Sequence, residues 1–156
     1  MEFGLRRAQG PDAGILGARA SFIGGCQSTS NVLAGRRYGI PVSGTQAHSW
    51  IQCFPTELEA FRAYARTFPD TCLLLVDTYS VISSGVPNAI KVGLELEAEG
   101  HHFQGIRIDS GDLTYLSRAA RRMLDDAGLK SAIIVASNDL DEETIFAVKA
   151  LGASID

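Results

Sequence analysis

The run Cys72-Leu73-Leu74-Leu75-Val76, with no polar side chain in it, narrows the fold more than any other stretch of the chain. Successive side chains of a strand point to opposite faces, so a strand with one wet face alternates in polarity. A strand that does not alternate must be covered on both faces, as in parallel sheets flanked by crossover helices. Ala132-Ile133-Ile134-Val135-Ala136 repeats the pattern, and Phe103 to Ile108 reads as a third strand. Helical patterns lie between them. Thr56-Glu57-Leu58-Glu59 is a capping box opening a helix with Leu58, Phe61, Ala65 and Phe68 on one face, and Pro69 closes it. Pro87 suits a first helical turn, followed by Ala89, Ile90, Gly93 and Leu94 at helical spacing up to Gly100. A helix from about Asp112 to Ala127 carries Leu113, Leu116, Ala120, Met123 and Leu124 on one face. Asp139, with Glu142 three residues on, predicts the cap of a last helix that Gly152 stops, and Ala153-Ser154-Ile155 begins a further strand.

The first fifty residues are rich in Gly and Ala, but Glu2 to Leu5, Phe22 to Gly24 and Pro41 to Ser43 fit short strands with small-residue helices between them. Seven candidate strands at these intervals predict a parallel α/β array, either a (β/α) barrel or an open doubly wound sheet. No G-x-G-x-x-G follows a strand and no Walker A is present, which argues against a dinucleotide or P-loop fold. The chain has 156 residues, 46% hydrophobic and 21% charged, the composition of a globular rather than a disordered chain. Its net charge of −4 and the absence of a basic stripe argue against nucleic acid as a partner. The apolar runs fall far short of the roughly 20 residues of a membrane span, and Met1 to Arg7 has no signal-peptide core. A cytoplasmic setting is the expectation, in keeping with three cysteines in no paired motif.

In either parallel architecture ligands bind beyond the carboxyl ends of the strands. The polar residues there are Arg6 and Arg7; Ser28 to Asn31; Gly44, Thr45 and His48; Asp77 to Tyr79; Asp109, Ser110 and Asp112; Asn138 and Asp139; and Asp156. Ser110, Asp139 and one of Ser28 to Ser30 are equally explained as helix N-caps. Arg107 is not so explained. It ends a buried strand, two residues before Asp109 and on the same side of the strand by alternation, so it must bind an anion or form an ion pair with Asp109. His48 follows a strand and a Gly-Thr turn, whereas His101 and His102 lie at the opposite end of theirs as solvated linker residues.

The strings EFGLRRAQGPDAG, TSNVLAG, GIPVSGTQAHSW, LLVDTY with SGVPNAIKV, RIDSGDL and ASNDLDE, in this order and spacing, resemble the nicotinate phosphoribosyltransferase family over essentially the whole chain. The related nicotinamide phosphoribosyltransferases carry an acidic residue at the position that aligns with Ser30, and the neutral Ser30 favours a carboxylate substrate. The resemblance implies a type II phosphoribosyltransferase fold, an irregular (β/α) barrel with a second domain formed by the ends of the chain. The implied reaction is attack of the nicotinate ring nitrogen on 5-phosphoribosyl 1-diphosphate, releasing pyrophosphate, with Mg²⁺ as cofactor and ATP as co-substrate, in NAD salvage. The implied parent enzyme is a homodimer.

Carried over by position, His48 matches the phosphohistidine that couples ATP hydrolysis to synthesis, and Asp109, the second implied catalytic residue, matches an acidic residue facing the ribosyl diphosphate, suited to Mg²⁺ or ribose hydroxyls. Thr45 matches a nicotinate contact, Arg107 an arginine on nicotinate or the ribosyl diphosphate, Arg6 an arginine near the diphosphate, and Asp77 an acidic residue facing the ribosyl diphosphate. The Mg²⁺ ligands stay unassigned. Family members are two to three times longer, so residues 1–156 are expected to be the central part of the barrel domain, lacking an N-terminal segment and a C-terminal remainder. Gln46 stands where His is common in the family, and Ser80 where Asp is common. The rival expectation is a catalytically silent fragment that binds phosphate-type anions or assembles with the missing segments, its unpaired strand edges promoting self-association.

Overall fold

Small side chains dominate the first forty-odd residues, and the elements they build are slight. In the computed structural model, which describes residues 1–156, this stretch forms one unit, Met1–Gly44, and Thr45–Asp156 forms a second. The first unit holds a 3-10 turn at Gly4–Arg7, helix α1 (Pro11–Ile23) and helix α2 (Val32–Tyr38). Its only β structure is a pair of single parallel bridges, Glu2 to Thr29 and Thr29 to Val42. Ile15, Ala18 and Ala34 make a small core with Tyr38 against it, and the guanidinium groups of Arg19 and Arg37 each lie 5.7 Å from the Tyr38 ring centroid.

Three of the expected strands change here. Phe22 and Ile23 continue α1 and are 41% and 68% exposed, so Phe22 to Gly24 is no strand. Thr29 takes that place in the ladder, because its hydroxyl donates to Glu2 Oε2 at 2.5 Å while its backbone pairs on both sides. Glu2 to Leu5 shrinks to the bridge at Glu2 before the 3-10 turn, and Pro41 to Ser43 to the bridge at Val42.

The second unit follows the apolar runs closely. Its parallel strands β1 (Leu73–Leu75), β2 (Gly105–Ile108) and β3 (Ile133–Ala136) lie in the order β1-β2-β3. Leu75 pairs in register with Arg107, and Arg107 with Val135. Helix α3 (His48–Gln52) and helix α4 (Glu57–Thr67) precede β1, α5 (Val86–Ala98) joins β1 to β2, α6 (Leu113–Asp126) joins β2 to β3, and α7 (Glu142–Ala150) follows. The capping box holds, with the Thr56 hydroxyl accepting from Glu59 N–H at 3.2 Å. After α6 the chain turns at Gly128, whose φ of +87° is open to glycine at no steric cost. Phe61, Leu74, Leu75, Phe103, Ile106, Ile108, Leu124 and Ile134 are fully buried between helices and sheet, which gives β1 and β2 a two-sided cover; β3, expected to be buried on both faces, is buried at Ile134 and half-buried at its other three residues.

The expected strand at Ala153 to Ile155 does not form. Asp156 alone reaches the sheet edge, its N–H donating to the Ile134 carbonyl at 3.1 Å and its carboxylate accepting from Ile134 N–H at 2.8 Å. The last helix is capped by Asp141, which accepts from Thr144 N–H at 2.8 Å, and not by Asp139, whose φ of +41° turns the chain before the helix. His101 and His102 lie in the solvated linker before β2, as expected, with their Nδ1 atoms 2.8 Å from Asp70 and 3.3 Å from Glu97.

Cys72 is fully buried, and burial pushes its thiol from an ordinary value near 9 up to about 12. At pH 8 about one part in ten thousand is thiolate, the form that reacts. A disulfide-exchange reagent is therefore expected to label exposed Cys53 quickly and Cys72 only after unfolding. Labelling of Cys72 in the folded protein at the rate of Cys53 would contradict this packing. The unfolded chain releases this proton from about pH 9 and the folded chain only near 12, so this thiol makes stability fall as pH rises through that window.

Candidate active site

β1 has a strand on one side only, and its other edge is satisfied by side chains. The Thr45 hydroxyl donates to the Leu73 carbonyl at 2.9 Å, and Gln46 Oε1 accepts from Leu75 N–H at 3.0 Å. These two bonds lay residues 45 and 46 along β1 and deliver His48, the first residue of α3, to its carboxyl end. There His48 Nε2 lies 3.2 Å from Oδ1 of Asp77, two residues beyond the strand. The His48 side chain is 39% exposed and that of Asp77 is 2% exposed, so a buried carboxylate holds a histidine that opens to solvent.

Asp77 is itself held from β2. Its Oδ2 accepts the Asp109 N–H at 3.1 Å and the Ser110 hydroxyl at 2.5 Å. Asp109 is held from β3, its Oδ1 accepting the Ser137 hydroxyl at 2.6 Å. The loops after three consecutive strands are thus joined by one line of hydrogen bonds running His48, Asp77, Asp109 and Ser137. An ionised carboxylate only accepts. Asp77 therefore assigns the His48 proton to Nε2 and leaves the Nδ1 lone pair free, the arrangement of an oriented imidazole nucleophile.

The cap explanation for Ser110 fails on the same geometry. Asp112 caps α6 by accepting from Tyr115 N–H at 3.0 Å, and Asn31 caps α2 by accepting from Ala34 N–H at 3.0 Å. Ser110 is thereby released to hold Asp77. Arg107, in the middle strand between Leu75 and Val135, is 8% exposed. Its charge is felt by Tyr64 of α4: burial and then Cys72 push that phenol up, while a hydrogen bond with the Thr45 hydroxyl and the charge of Arg107 pull it back.

Of the residues expected at a site, Thr45, His48, Asp77, Arg107 and Asp109 all belong to the second unit, on β2 or on the edge and loops just described. Arg6 and Ser30 belong to the first unit. Arg6 is exposed in the 3-10 turn, and Ser30 is half-buried with its N–H donating to the Glu2 carbonyl at 3.0 Å. Sequence reasoning missed Ser137, although it directly follows a strand as Asn138 does not. It also missed Tyr64, which stands in a helix with no local signal, and it saw Gln46 only as a departure from a pattern.

The model of the nicotinate phosphoribosyltransferase (NAPRTase) family matches residues 1–151. The chain belongs to this family. It is 55% identical over its full length to the nicotinate phosphoribosyltransferase of Bacillus subtilis, of which it spans 31%. It is 42% identical to that of Dictyostelium discoideum, again over the whole chain and across 34% of the relative. Among solved structures, human nicotinic acid phosphoribosyltransferase superposes with a TM-score of 0.82 at 34% identity, covering 99% of this chain and 42% of the human one. A Vibrio cholerae nicotinate phosphoribosyltransferase shares the fold, with a TM-score of 0.74 at 16% identity. The chain thus spans about a third of the length of the curated relatives it matches. The motifs that resemble the family are the segments that build the site, since GTQAHSW supplies the β1 edge and His48, and RIDSGDL supplies Arg107, Asp109 and Ser110.

Proposed function

We propose that the chain carries the phosphoryl-accepting and substrate-binding centre of a nicotinate phosphoribosyltransferase, and that its three-stranded sheet is an arc of the family's irregular (β/α) barrel. The observation that carries the reading is the hydrogen bond between exposed His48 and buried Asp77, on loops whose sequences belong to the family. In this reading the Nδ1 lone pair of His48 attacks the γ-phosphorus of ATP. The Nδ1–P bond forms, the P–O bond to ADP breaks, and Asp77 keeps the Nε2 proton in place while the ring gains positive charge.

The synthetic step joins the ring nitrogen of nicotinate to C1 of 5-phosphoribosyl 1-diphosphate as the C1–O bond breaks and pyrophosphate leaves. Positive charge builds on the ribosyl ring and negative charge on the leaving diphosphate, so the site must supply a cation for the anion and a fixed orientation for both partners. Arg107, buried in the middle strand, supplies a guanidinium suited to a carboxylate or a phosphate. Thr45, anchored on Leu73, lines the free edge of β1, and Arg6 and Ser30 are proposed as further substrate contacts. Hydrolysis of the phosphohistidine would couple ATP to product release in NAD salvage.

No three His, Cys, Asp or Glu side chains are placed to hold a metal. Asp77 has both oxygens engaged by His48, Asp109 and Ser110. The residues present fit a Mg²⁺ ion that arrives on the diphosphate, since magnesium takes one or two carboxylates and completes its shell with phosphate and water. Asp109 is the carboxylate that fits such an ion. A homodimer is proposed for the whole enzyme on family grounds alone. No helix is long and apolar enough to cross a membrane.

The test is incubation with nicotinate, 5-phosphoribosyl 1-diphosphate and Mg-ATP, followed by chromatography. Nicotinate mononucleotide and pyrophosphate are expected in equal amounts, with Arg107→Ala abolishing both. A folded chain that binds pyrophosphate but forms no product would instead favour a second reading, anion binding without turnover. The span of only a third of the relatives' length gives that reading its support.

A further inference from the structure

Gln46 lies two residues ahead of His48 and is 5% exposed. Its Oε1 accepts from Leu75 N–H, which fixes the two ends of the amide, since only the oxygen can accept. The Nε2 group at the other end is buried and has no hydrogen-bond partner. A buried donor without an acceptor is costly and is rarely left that way in a folded protein. A second such group, the Thr78 hydroxyl, adjoins Asp77. Leu75, the anchor of Gln46, is also the register partner of Arg107, so the amide and the guanidinium belong to one row across the sheet.

Both oxygens of Asp77 are engaged, by His48, Asp109 and Ser110, and one oxygen of Asp109 is engaged by Ser137. A buried neutral donor with no acceptor, in the same row as a buried cation, suits a ligand group that is negative and rich in lone pairs. We propose that Gln46 Nε2 donates a hydrogen bond to an oxyanion of the bound ligand, a carboxylate or a phosphate oxygen, which makes Gln46 a binding residue of this site. The proposal rests on the functional reading above and names the kind of ligand atom that one side chain takes. Resting on the β1 edge, Gln46 combines structure and recognition: its oxygen closes the strand and its nitrogen faces the ligand.

The test is two-dimensional ¹⁵N NMR of the side-chain amides, with the Gln46 NH₂ pair identified by its absence from Gln46→Glu. Nicotinate and inorganic pyrophosphate are added separately. One of them is expected to move the Gln46 pair, and which one does so distinguishes carboxylate from phosphate. Gln46→Glu keeps the acceptor for Leu75 N–H and the side-chain size but removes the donor, and is expected to weaken that ligand about ten- to a hundredfold. If a ligand shifts the resonances of residues 45–48 and 107–110 while the Gln46 NH₂ pair stays still and Gln46→Glu binds equally well, the proposal is overturned and the functional reading stands. If neither ligand shifts any of these resonances, both fall together.

Discussion

Gly85→Ala is expected to unfold the second unit or bring it close to unfolding. Gly85 ends a π-helical turn, Val81–Gly85, that enters α5, and it packs onto the backbone that follows β1. A Cβ built there would lie 1.8 Å from the Val76 carbonyl oxygen and 2.6 Å from its carbon. No side-chain rotation relieves a collision with main chain, so either the turn or the strand end must move. Ordinary overpacking costs about 1–3 kcal/mol, and this clash is expected to cost about 4 kcal/mol or more, a large part of the roughly 5–15 kcal/mol that holds a domain together. The Val76 carbonyl directly precedes Asp77, so any surviving fold would also displace the carboxylate that holds His48. Urea unfolding measures the effect, and an unfolding free energy within about 1 kcal/mol of wild type would show that the turn is not packed as described.

Asp77→Asn should act on chemistry and leave the fold in place. The asparagine amide has one acceptor oxygen, and Asp109 N–H, which can only donate, claims it. The NH₂ group must then face His48 and donate to Nε2, which moves the ring proton to Nδ1 and removes the nucleophilic lone pair. A tautomer error of this kind costs about 10⁴ in a serine protease triad, and a loss of about a thousandfold or more in His48 phosphorylation is expected here. Mass spectrometry over a time course of Mg-ATP addition would show it. Phosphorylation of Asp77→Asn within about tenfold of wild type would mean that Asp77 does not set the tautomer.

These two sites differ in how far the sequence foretells them. The strand at Leu73 is legible because burial on both faces removes alternation and leaves a uniform apolar run; the run at Ile133 forms a strand as well, although only Ile134 of it is buried. Residues 1–44 carry no such signal. Single bridges through Thr29 rest on a side-chain contact with Glu2, 27 residues away, which no local period records. Caps were misplaced by two residues at Asp139, where Asp141 does the work, because short polar side chains compete for the same role over a few positions.

The site shows the same division. The strand-end rule brings out His48, Asp77 and Asp109 at the carboxyl end of the parallel sheet, whereas Thr45 lies along the edge of β1, on the carbonyl of its first residue. Alternation places Arg107 and Asp109 on one side only as far as the strand continues, and β2 stops at Ile108. Asp109 instead turns its N–H to Asp77 and its carboxylate to Ser137. The grip of Ser110 on Asp77 spans 33 residues, and it became visible only once Asp112 was seen to fill the cap. The family resemblance supplied roles for these residues, and the geometry supplies the reason one of them, His48, presents Nδ1.

The most direct measurement is the intact mass of the chain after incubation with Mg-ATP, for wild type and His48→Ala, with the phosphorylated nitrogen assigned by NMR. One acid-labile phosphoryl group is expected, on Nδ1 of His48 and absent from the variant. A folded wild-type chain that takes up no phosphoryl group, or takes one up on Nε2 or on a residue other than His48, would contradict it.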